Sequence, residues 1–499
     1  MKLPGSYYNT LSLIGSILAG LSLTLIVFFL IAMLIFDFGS SYIGLFIYIV
    51  LPVFLIIGLI LIPVGMVRKT KKLKNSDGDK LSRGLKIDFG NKRHWNAFLF
   101  FVIGSFIILF LTGIGSYEAF HYTESNEFCG LLCHRVMKPE YTAYHESGHS
   151  RVACVECHVG PGADWFVRSK LSGLYQVYAV ITDSYPQPIP TPVENLRPAR
   201  ETCEQCHWPN KFYSYRLHNE IHYLADTENT RWDIQLKMKT GPEHSSKGLS
   251  EGIHWHINPD IKVEYIASSH DREYLPYVRY INISTGDTVV YEDIYEKLDQ
   301  EAIDSLEIRV MDCIDCHNRP SHDYLPPQEF TDLLIASGEI SAELPEVKII
   351  AMEIFNTLYN SHDTAMLQIE AKTLGFYEEY YPEMANDKRE LIDQTIEAFK
   401  AGFSRNIFPE MGASWDVYPN NIGHIEYRGC ARCHNGTHES STGRVISRDC
   451  NLCHTIQAQG KPDSLNLAYS NTSLEFIHPV NIDAVWKEYA CSECHRYLY

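Results

Sequence analysis

The chain has 499 residues and a formal net charge of -18 at pH 7, and this acidity excludes nucleic acid as the main partner because phosphate binding needs a basic surface. Apolar residues make up 45% of the sequence, enough to form a core, so a wholly disordered chain is also excluded. All 14 cysteines fall into close pairs, and a histidine directly follows each pair.

Three uncharged apolar runs near the N-terminus predict a membrane anchor. They cover residues 11–36, 42–67 and 97–117, and each is long enough to cross a bilayer core of about 30 Å as a helix. The basic loop between the second and third runs, residues 68–96, carries 10 Lys and Arg. Positively charged loops stay in the cytoplasm. We therefore predict a cytoplasmic N-terminus and a periplasmic location for everything after the third run.

Seven motifs predict covalently bound c-type haem. Six have the form Cys-x-x-Cys-His and the first has one extra residue between its cysteines. Two thiols at this spacing add to the haem vinyl groups while the adjacent histidine reaches the iron as its proximal ligand. Zinc sites and disulfides do not require a histidine after every pair. The motifs are Cys129/Cys133/His134, Cys154/Cys157/His158, Cys203/Cys206/His207, Cys313/Cys316/His317, Cys430/Cys433/His434, Cys450/Cys453/His454 and Cys491/Cys494/His495.

Haem attachment of this type takes place outside the bacterial inner membrane, which agrees with the loop charges. Iron bound by two histidines has no free position for a substrate, so such haems carry electrons. The candidate distal ligands near the motifs are His145 or His149, His218 or His222, His322, His424, His438 and His478. Met137 is a candidate ligand of the first haem, or a plain packing residue. We predict ordinary surface or hydrogen-bonded roles for His244, His254, His256 and His270.

The predicted fold class is mainly α, a three-helix transmembrane anchor followed by a periplasmic multihaem domain with little regular structure. Strand-like alternation predicts a small β insertion, and a long acidic stretch broken by Pro382 predicts a helical insertion. The predicted segments are 1–118 for the anchor, 119–216 for haems 1–3, 217–300 for a haem-free β-rich insertion, 301–327 for haem 4, 328–410 for the helical insertion and 411–499 for haems 5–7.

The order of these features resembles the NapC/NirT family of membrane-anchored multihaem cytochromes. A membrane helix precedes the first motif and Met137, then His145-Glu-Ser-Gly-His149 and the second motif follow. The resemblance implies quinol oxidation, with Lys170 as the quinol-site lysine and Gln176 where the family often has a carboxylate. Phrases at residues 196–208, 313–320 and 418–424 resemble the heptahaem inner-membrane quinol oxidases of metal-reducing bacteria.

The segment after the second motif is also consistent with a quinol site on physical grounds. Residues 165–182 are apolar along one side and begin with tryptophan, which is typical of a helix on the membrane surface. Quinol oxidation releases protons, so the site needs polar groups. Asp164, Asp183 and His121 are within sequence range of Lys170 and Gln176. The alternative for Lys170 is a solvated charge on a buried stem.

These features predict a quinol dehydrogenase of anaerobic or extracellular respiration. Its expected partners are the quinol pool, the lipid bilayer and a periplasmic cytochrome or other acceptor with a basic patch, in a homo-oligomer or larger complex. One alternative is a periplasmic reductase of nitrite, hydroxylamine or a sulfur oxyanion, which needs an open iron position. The other is an electron-relay subunit that takes its electrons from a partner in a larger respiratory complex.

Overall fold

The computed structural model describes residues 5–36, 46–76, 89–90, 92–192, 197–209, 212, 214–242, 249–469, 472–496 and 498. The chain forms two compact units, Met1–Met137 and Lys138–Tyr499. The predicted boundary at residue 118 does not coincide with this division, because the third apolar helix continues to Thr123 and the next short helix packs against it.

The first unit is built from helices. They are α1 (Thr10–Phe36), a π-helical turn (Phe46–Val50), α2 (Leu51–Ser76), α3 (Lys92–Thr123) and α4 (Asn126–Leu131). Three of them, α1, α2 and α3, are long and apolar enough to span a membrane. The second apolar helix ends later than predicted, because its basic residues continue the helix beyond residue 67, and residues 42–45 of the predicted run lie outside the described residues.

Small residues bring α1 and α2 close together. A Cβ atom on Gly58 would lie 2.6 Å from the Ala19 nitrogen, and one on Gly15 would lie 2.6 Å from the Gly58 oxygen. The Ser12 hydroxyl donates a hydrogen bond of 2.8 Å to the Ile62 carbonyl. Helices surrounded by lipid gain little from the hydrophobic effect, so close packing of small residues drives their association instead. The first two apolar helices therefore form a tight hairpin.

The second unit contains short haem-motif helices, two sheets and a helical bundle. Its helices are α5 (His134–Glu146, which begins in the first unit), α6 (Cys154–His158), α7 (Ala163–Ile181), α8 (Ala199–Cys203), α9 (Gln300–Ser305), α10 (Cys313–Cys316), α11 (Pro327–Ala336), α12 (Val347–Phe355), α13 (His362–Tyr380), α14 (Pro382–Asp387), α15 (Arg389–Asn406) and α16 (Cys491–His495). Its strands are β1 (Tyr215–Tyr223), β2 (Arg231–Lys239), β3 (Ile261–Ile266), β4 (Tyr277–Asn282), β5 (Thr288–Asp293), β6 (Ile308–Val310), β7 (His438–Ser440), β8 (His454–Gly460) and β9 (Asn466–Leu467).

Both sheets connect distant parts of the sequence. One has the strand order β1-β2-β8-β9 and the other β6-β3-β4-β5-β7, with antiparallel neighbours throughout. Strands β3, β4 and β5 lie where the alternation predicted strands. However, β7, β8 and β9 come from the C-terminal haem segment. The predicted β insertion is therefore not separate, because both of its sheets include strands that follow the fifth motif or begin at the sixth.

Helices α11 to α15 form the bundle predicted for residues 328–410. Ile354, Ile369, Phe399 and Phe403 are completely buried in its core. The bundle's central break occurs at Pro382, which takes the first position of α14, where its missing N–H costs no hydrogen bond. This bundle has a hydrophobic core of its own.

Candidate haem-binding sites

The motifs from the second to the seventh each form a single helical turn. The amide of the motif histidine bonds to the carbonyl of the first cysteine in the third, fourth and fifth motifs, at 2.8, 2.8 and 3.0 Å. The sixth motif forms a 3-10 turn, Cys450–Leu452, and its histidine begins β8. Residues three and four positions apart share one face of a helix. One turn therefore presents both thiols and the imidazole on the same side, as covalent haem attachment requires.

Each of these six motif histidines faces a second histidine. The ring centres are 5.9–6.3 Å apart. Two imidazoles on opposite sides of one metal have ring centres about 6 Å apart, given metal–nitrogen bonds of about 2.0–2.1 Å. The pairs are His149–His207, His158–His322, His254–His317, His256–His434, His424–His454 and His478–His495. Their spacing fits bis-histidine haem.

Hydrogen bonds orient the paired rings. The Nδ1 atoms of His149, His254, His256, His322 and His478 each lie 2.7–3.0 Å from a backbone carbonyl oxygen. A carbonyl can only accept, so the proton is on Nδ1 and the lone pair is on Nε2 in all of them except His478, whose Nδ1 also lies 3.3 Å from the Val480 amide nitrogen. Nε2 therefore offers the lone pair through which an imidazole binds a metal. The residues present therefore fit haem iron.

The surrounding protein favours the neutral imidazole. Although several of these rings keep solvent-accessible edges, burial lowers the pKa of His254, His256 and His317, and lowers that of His454 to about 4. The neutral form is the one that binds metal. Burial also raises the pKa of the Cys316 thiol to about 12. Such sites suit a thioether, which carries no charge to bury.

The motif cysteines differ in exposure, and five of the 14 are exposed: Cys157, Cys206, Cys430, Cys450 and Cys494. Cys206 and Cys494, the second cysteines of the third and seventh motifs, are exposed, whereas Cys433 of the fifth motif is buried. Motif spacing does not distinguish the cysteines from one another, and the structure does not place Cys206 and Cys494 in an enclosed site. The physical reason is local, because each lies on the solvent side of its short turn, next to the exposed Gln205 or Glu493. Haem attachment at the 14 motif cysteines stays a prediction based on motif spacing.

Consecutive motifs are neighbours. Helix α8 contacts both α6 and α10, which places the third motif between the second and the fourth. The thiols of Cys316 and Cys430 are close enough to interact electrostatically, and so are the thiols of Cys430 and Cys453. Cys491 in turn lies within range of Cys450. The second to seventh motifs thus follow one another in space in the order of the sequence.

Four predicted distal histidines lie in these pairs, but not always beside the nearest motif. His149, His322, His424 and His478 each face a motif histidine. His149, which precedes the second motif, faces the histidine of the third. His145 has no motif histidine beside it among the described contacts, and its ring packs against Tyr141 instead.

His218, His222 and His438 are not paired with a motif histidine in the described structure. On β1, the Nε2 of His218 is 2.6 Å from a Glu220 oxygen, and the Nδ1 of His222 is 3.5 Å from Asp332. His438 is buried in β7, with Nε2 2.7 Å from the Leu275 carbonyl and Nδ1 3.0 Å from Asn435 Oδ1. The Leu275 carbonyl can only accept, so the proton is on Nε2, and this nitrogen is not free to bind iron.

Two histidines for which ordinary roles were predicted face the fourth and fifth motif histidines. His254 and His256 lie on one short 3-10 turn, Ile253–Ile257, and face the fourth and fifth motif histidines at 6.3 and 5.9 Å. The prediction of ordinary roles for these two does not fit this geometry. The available signal was the His-Trp-His spacing, which lets one turn direct two rings to adjacent motifs. His244 lies outside the described residues.

The first motif belongs to the first unit. Cys129 is in α4 and Cys133 follows it, while His134 begins α5. The side chain of His134 lies outside the described part of the structure. Met137 is half-buried and lies three residues further along α5.

The predicted quinol residues are spread along α7. Lys170 is half-buried, with Nζ 5.1 Å from the Phe166 ring centre. Gln176 is exposed and lies about 120° away around the helix axis, at about 9 Å along it. Asp164 lies in the first turn, and Asp183 follows the last turn with a φ of 52°. These four residues are not brought together. His121 lies near the end of α3 and contacts the Tyr117 ring.

One face of α7 is apolar and uncovered. Its exposed side chains are Val167, Leu171, Leu174, Tyr175, Tyr178 and Ile181, with exposed fractions of 54–78%. Their spacing follows one helical stripe. Lys170 lies at the edge of this stripe, whereas Gln176 lies on the other side of the helix.

Comparison with known proteins agrees with the haem sites. The model of the NapC/NirT cytochrome c family, N-terminal region, matches residues 91–189. The chain is 44% identical over 494 residues to the cytochrome c-type protein ImcH of Geobacter sulfurreducens, covering 99% of this chain and 96% of that protein. It is 26% identical over 117 residues to the cytochrome c-type protein NrfH of Wolinella succinogenes, covering 21% and 66%. No solved structure matches.

Proposed function

This chain belongs to the NapC/NirT family of c-type cytochromes, and from this premise we propose that it is a quinol dehydrogenase with seven haems. Membership makes it a membrane-anchored multihaem cytochrome of the inner membrane that carries covalent haem and acts in electron transfer. The proposal adds that it oxidises menaquinol or a similar quinol at the periplasmic face and delivers the electrons to a periplasmic acceptor.

The set of six histidine pairs is the observation that carries this proposal. When bound, haem supplies a one-electron carrier, and two axial histidines leave no iron position for a substrate. The second to seventh motif histidines all have such a partner. This argues against a reductase that works at one of these motifs. His134 is the proposed proximal ligand at the first motif, with Met137 as a candidate ligand beside it.

The arrangement of the motifs supports a relay in sequence order. The thiols of neighbouring motifs lie within electrostatic range of one another from the second motif to the seventh. Side chains that attach consecutive haems are therefore adjacent. We propose that electrons enter near the first motif and leave near the seventh.

Helix α7 is the proposed quinol-binding element. Its exposed apolar stripe suits the interfacial layer of a bilayer, the depth at which a quinol headgroup lies. Lys170 borders that stripe, so we propose that its ammonium Nζ binds a quinol oxygen. Gln176, Asp164, Asp183 and His121 remain predicted proton or hydroxyl partners. Cytoplasmic placement of the N-terminus and of residues 68–96 follows from their positive charge.

The acceptor is proposed to be a periplasmic protein with a basic patch. Residues 328–410 contain 16 Asp and Glu against 6 Lys and Arg, a net charge of -10. Within this bundle, Lys348 lies within electrostatic range of His495 of the seventh motif. The acidic bundle is thus next to the proposed exit of the relay. Complementary charge speeds the encounter of redox partners.

Reduction by a quinol analogue tests the proposal. The purified chain in lipid nanodiscs is mixed with reduced menaquinone analogue, and the haem α-band is followed by stopped flow. We expect rapid reduction of the wild type, loss in Lys170→Ala, and retention in Arg168→Ala, the matched control on the same helix. A wild type that a quinol cannot reduce would instead favour the relay subunit. A pyridine haemochrome value other than seven haems per chain contradicts the count.

A further inference from the structure

One of the twelve paired histidines has a carboxylate beside its ring. His322 Nδ1 lies 3.0 Å from the Glu140 carbonyl oxygen and 3.1 Å from Oε2 of the same residue. The other paired histidines of the described structure have no carboxylate within 4 Å. Glu140 therefore contributes two different interactions to one ring: a neutral hydrogen-bond acceptor and a negative charge.

The Glu140 carboxylate is held in a mostly buried group. Its side chain is 18% exposed, and Oε2 has no donor of hydrogen-bond geometry among the described residues. The guanidinium of Arg319, 7% exposed, is 3.8 Å from the other carboxylate oxygen. Arg319 in turn packs on the rings of Tyr418 and Tyr324 at 4.6 and 5.0 Å. The carboxylate is thus fixed beside His322 with little water to screen it.

Charge at this position acts on the metal through the ring. When Nε2 binds iron, Nδ1 carries the proton, and a negative charge beside that proton increases the electron donation of the imidazole. Greater donation favours ferric over ferrous iron and lowers the reduction potential. Backbone carbonyls, which lie beside Nδ1 of five other paired rings, have no net charge and act more weakly.

We propose that Glu140 is a positioning residue that lowers the potential of the haem held by His158 and His322, making it the lowest of the six bis-histidine haems. The inference rests on the proposed ligation of that haem and goes beyond it. Arg319 has the opposite effect, because its positive charge offsets the carboxylate. Electron flow from the first motif then meets an uphill step at the second before it continues.

A redox titration of Glu140→Gln tests the role of the charge. Glutamine keeps the size of the side chain and the backbone carbonyl, so only the charge is lost. We expect one component of the titration to shift upward by at least about tenfold in its ferric/ferrous equilibrium, which is about 59 mV for one electron. The other components should stay in place. Glu146→Gln, an exposed carboxylate on the same helix, is the matched control and should shift none.

His322→Ala identifies the component concerned. This variant should give one high-spin haem and remove the same component that moves in Glu140→Gln. If His322→Ala stays low-spin, the ligand assignment itself is wrong. If it becomes high-spin while Glu140→Gln shifts nothing, or shifts all components equally, the tuning role alone is overturned.

Two further variants separate charge from structure. Glu140→Asp keeps the charge and should restore a potential near that of the wild type. Arg319→Gln should shift the same component downward, the opposite direction to Glu140→Gln. Damage to the fold would move the potential in the same direction in both Glu140→Gln and Arg319→Gln, and that result overturns the proposal. All variants are compared at equal haem content. If Glu140→Gln does not accumulate, the direction of the shift in Arg319→Gln tests the proposed role of Glu140.

Discussion

Replacing His256 and His438 separately should give opposite results, although His438 follows the fifth motif closely in the sequence. His256 faces His434 of that motif at 5.9 Å, so His256→Ala removes one of two axial ligands. Iron with a single strong axial ligand becomes high-spin. With seven motifs in the chain, we expect about one seventh of the haem iron to change.

His438→Ala should instead cost stability without changing any haem. Its ring lies 2.7 Å from the Leu275 carbonyl oxygen and 3.0 Å from Asn435 Oδ1, and each lost hydrogen bond costs about 0.5–1.5 kcal/mol. A neutral imidazole donates only one of these bonds, so its loss lowers the free energy of unfolding by about 0.5–1.5 kcal/mol. The fifth haem keeps both its histidines and stays low-spin.

Low-temperature EPR of the oxidised protein measures the first effect, and urea unfolding followed by circular dichroism measures the second. Both variants are compared at equal haem content, determined as pyridine haemochrome. A low-spin His256→Ala, or a high-spin His438→Ala, would refute the inference from ring distances to ligation.

The remaining predictions concern partner docking, the helical bundle and the membrane hairpin. Reduction of a basic acceptor should slow strongly between 10 and 150 mM salt, as the Debye length falls from about 30 to about 8 Å; a constant rate would contradict electrostatic docking. Lys348→Met should cost about 3–5 kcal/mol of unfolding free energy in urea, because it strands the buried charge of Asp332. Adding Asp332→Asn should recover part of that loss, and an additive loss would contradict the pairing. Gly58→Ala should lower the thermal aggregation midpoint in detergent, because the new Cβ meets Ala19; Gly20→Ala, which faces open space, is the control, and equal effects would count against the hairpin contact.

The sequence predicted the proximal half of each haem site because that half is local. One helical turn holds two cysteines and a histidine, so spacing alone specifies it. The membrane helices and Pro382 were predictable for the same reason, since apolar length and a missing N–H act within one element. Spacing does not specify burial, however, and so it could not separate the exposed Cys206 and Cys494 from the buried Cys433.

The distal half depends on tertiary contacts that spacing does not encode. His256 reaches the fifth motif only because the turn that carries it is positioned between the sheets. His438 lies four residues after His434, yet β7 pairs with β5 and directs its ring into the protein. Nearness in the sequence was therefore a poor guide to which histidine meets which motif, and it favoured His438 over His256.

The histidine pairs have a consequence for how the protein is made. His149 faces the third motif across the second, His322 reaches back past two motifs to the second, and His424 passes over the fifth to reach the sixth. Each of these pairs joins segments that are separated by another motif in the sequence, so a site is complete only when both segments are present. During export from the N-terminus, the second haem would acquire His158 early but wait for His322, and a shortened chain would leave earlier irons with one vacant side. Deleting any one segment would therefore remove a ligand from a site that belongs to another motif.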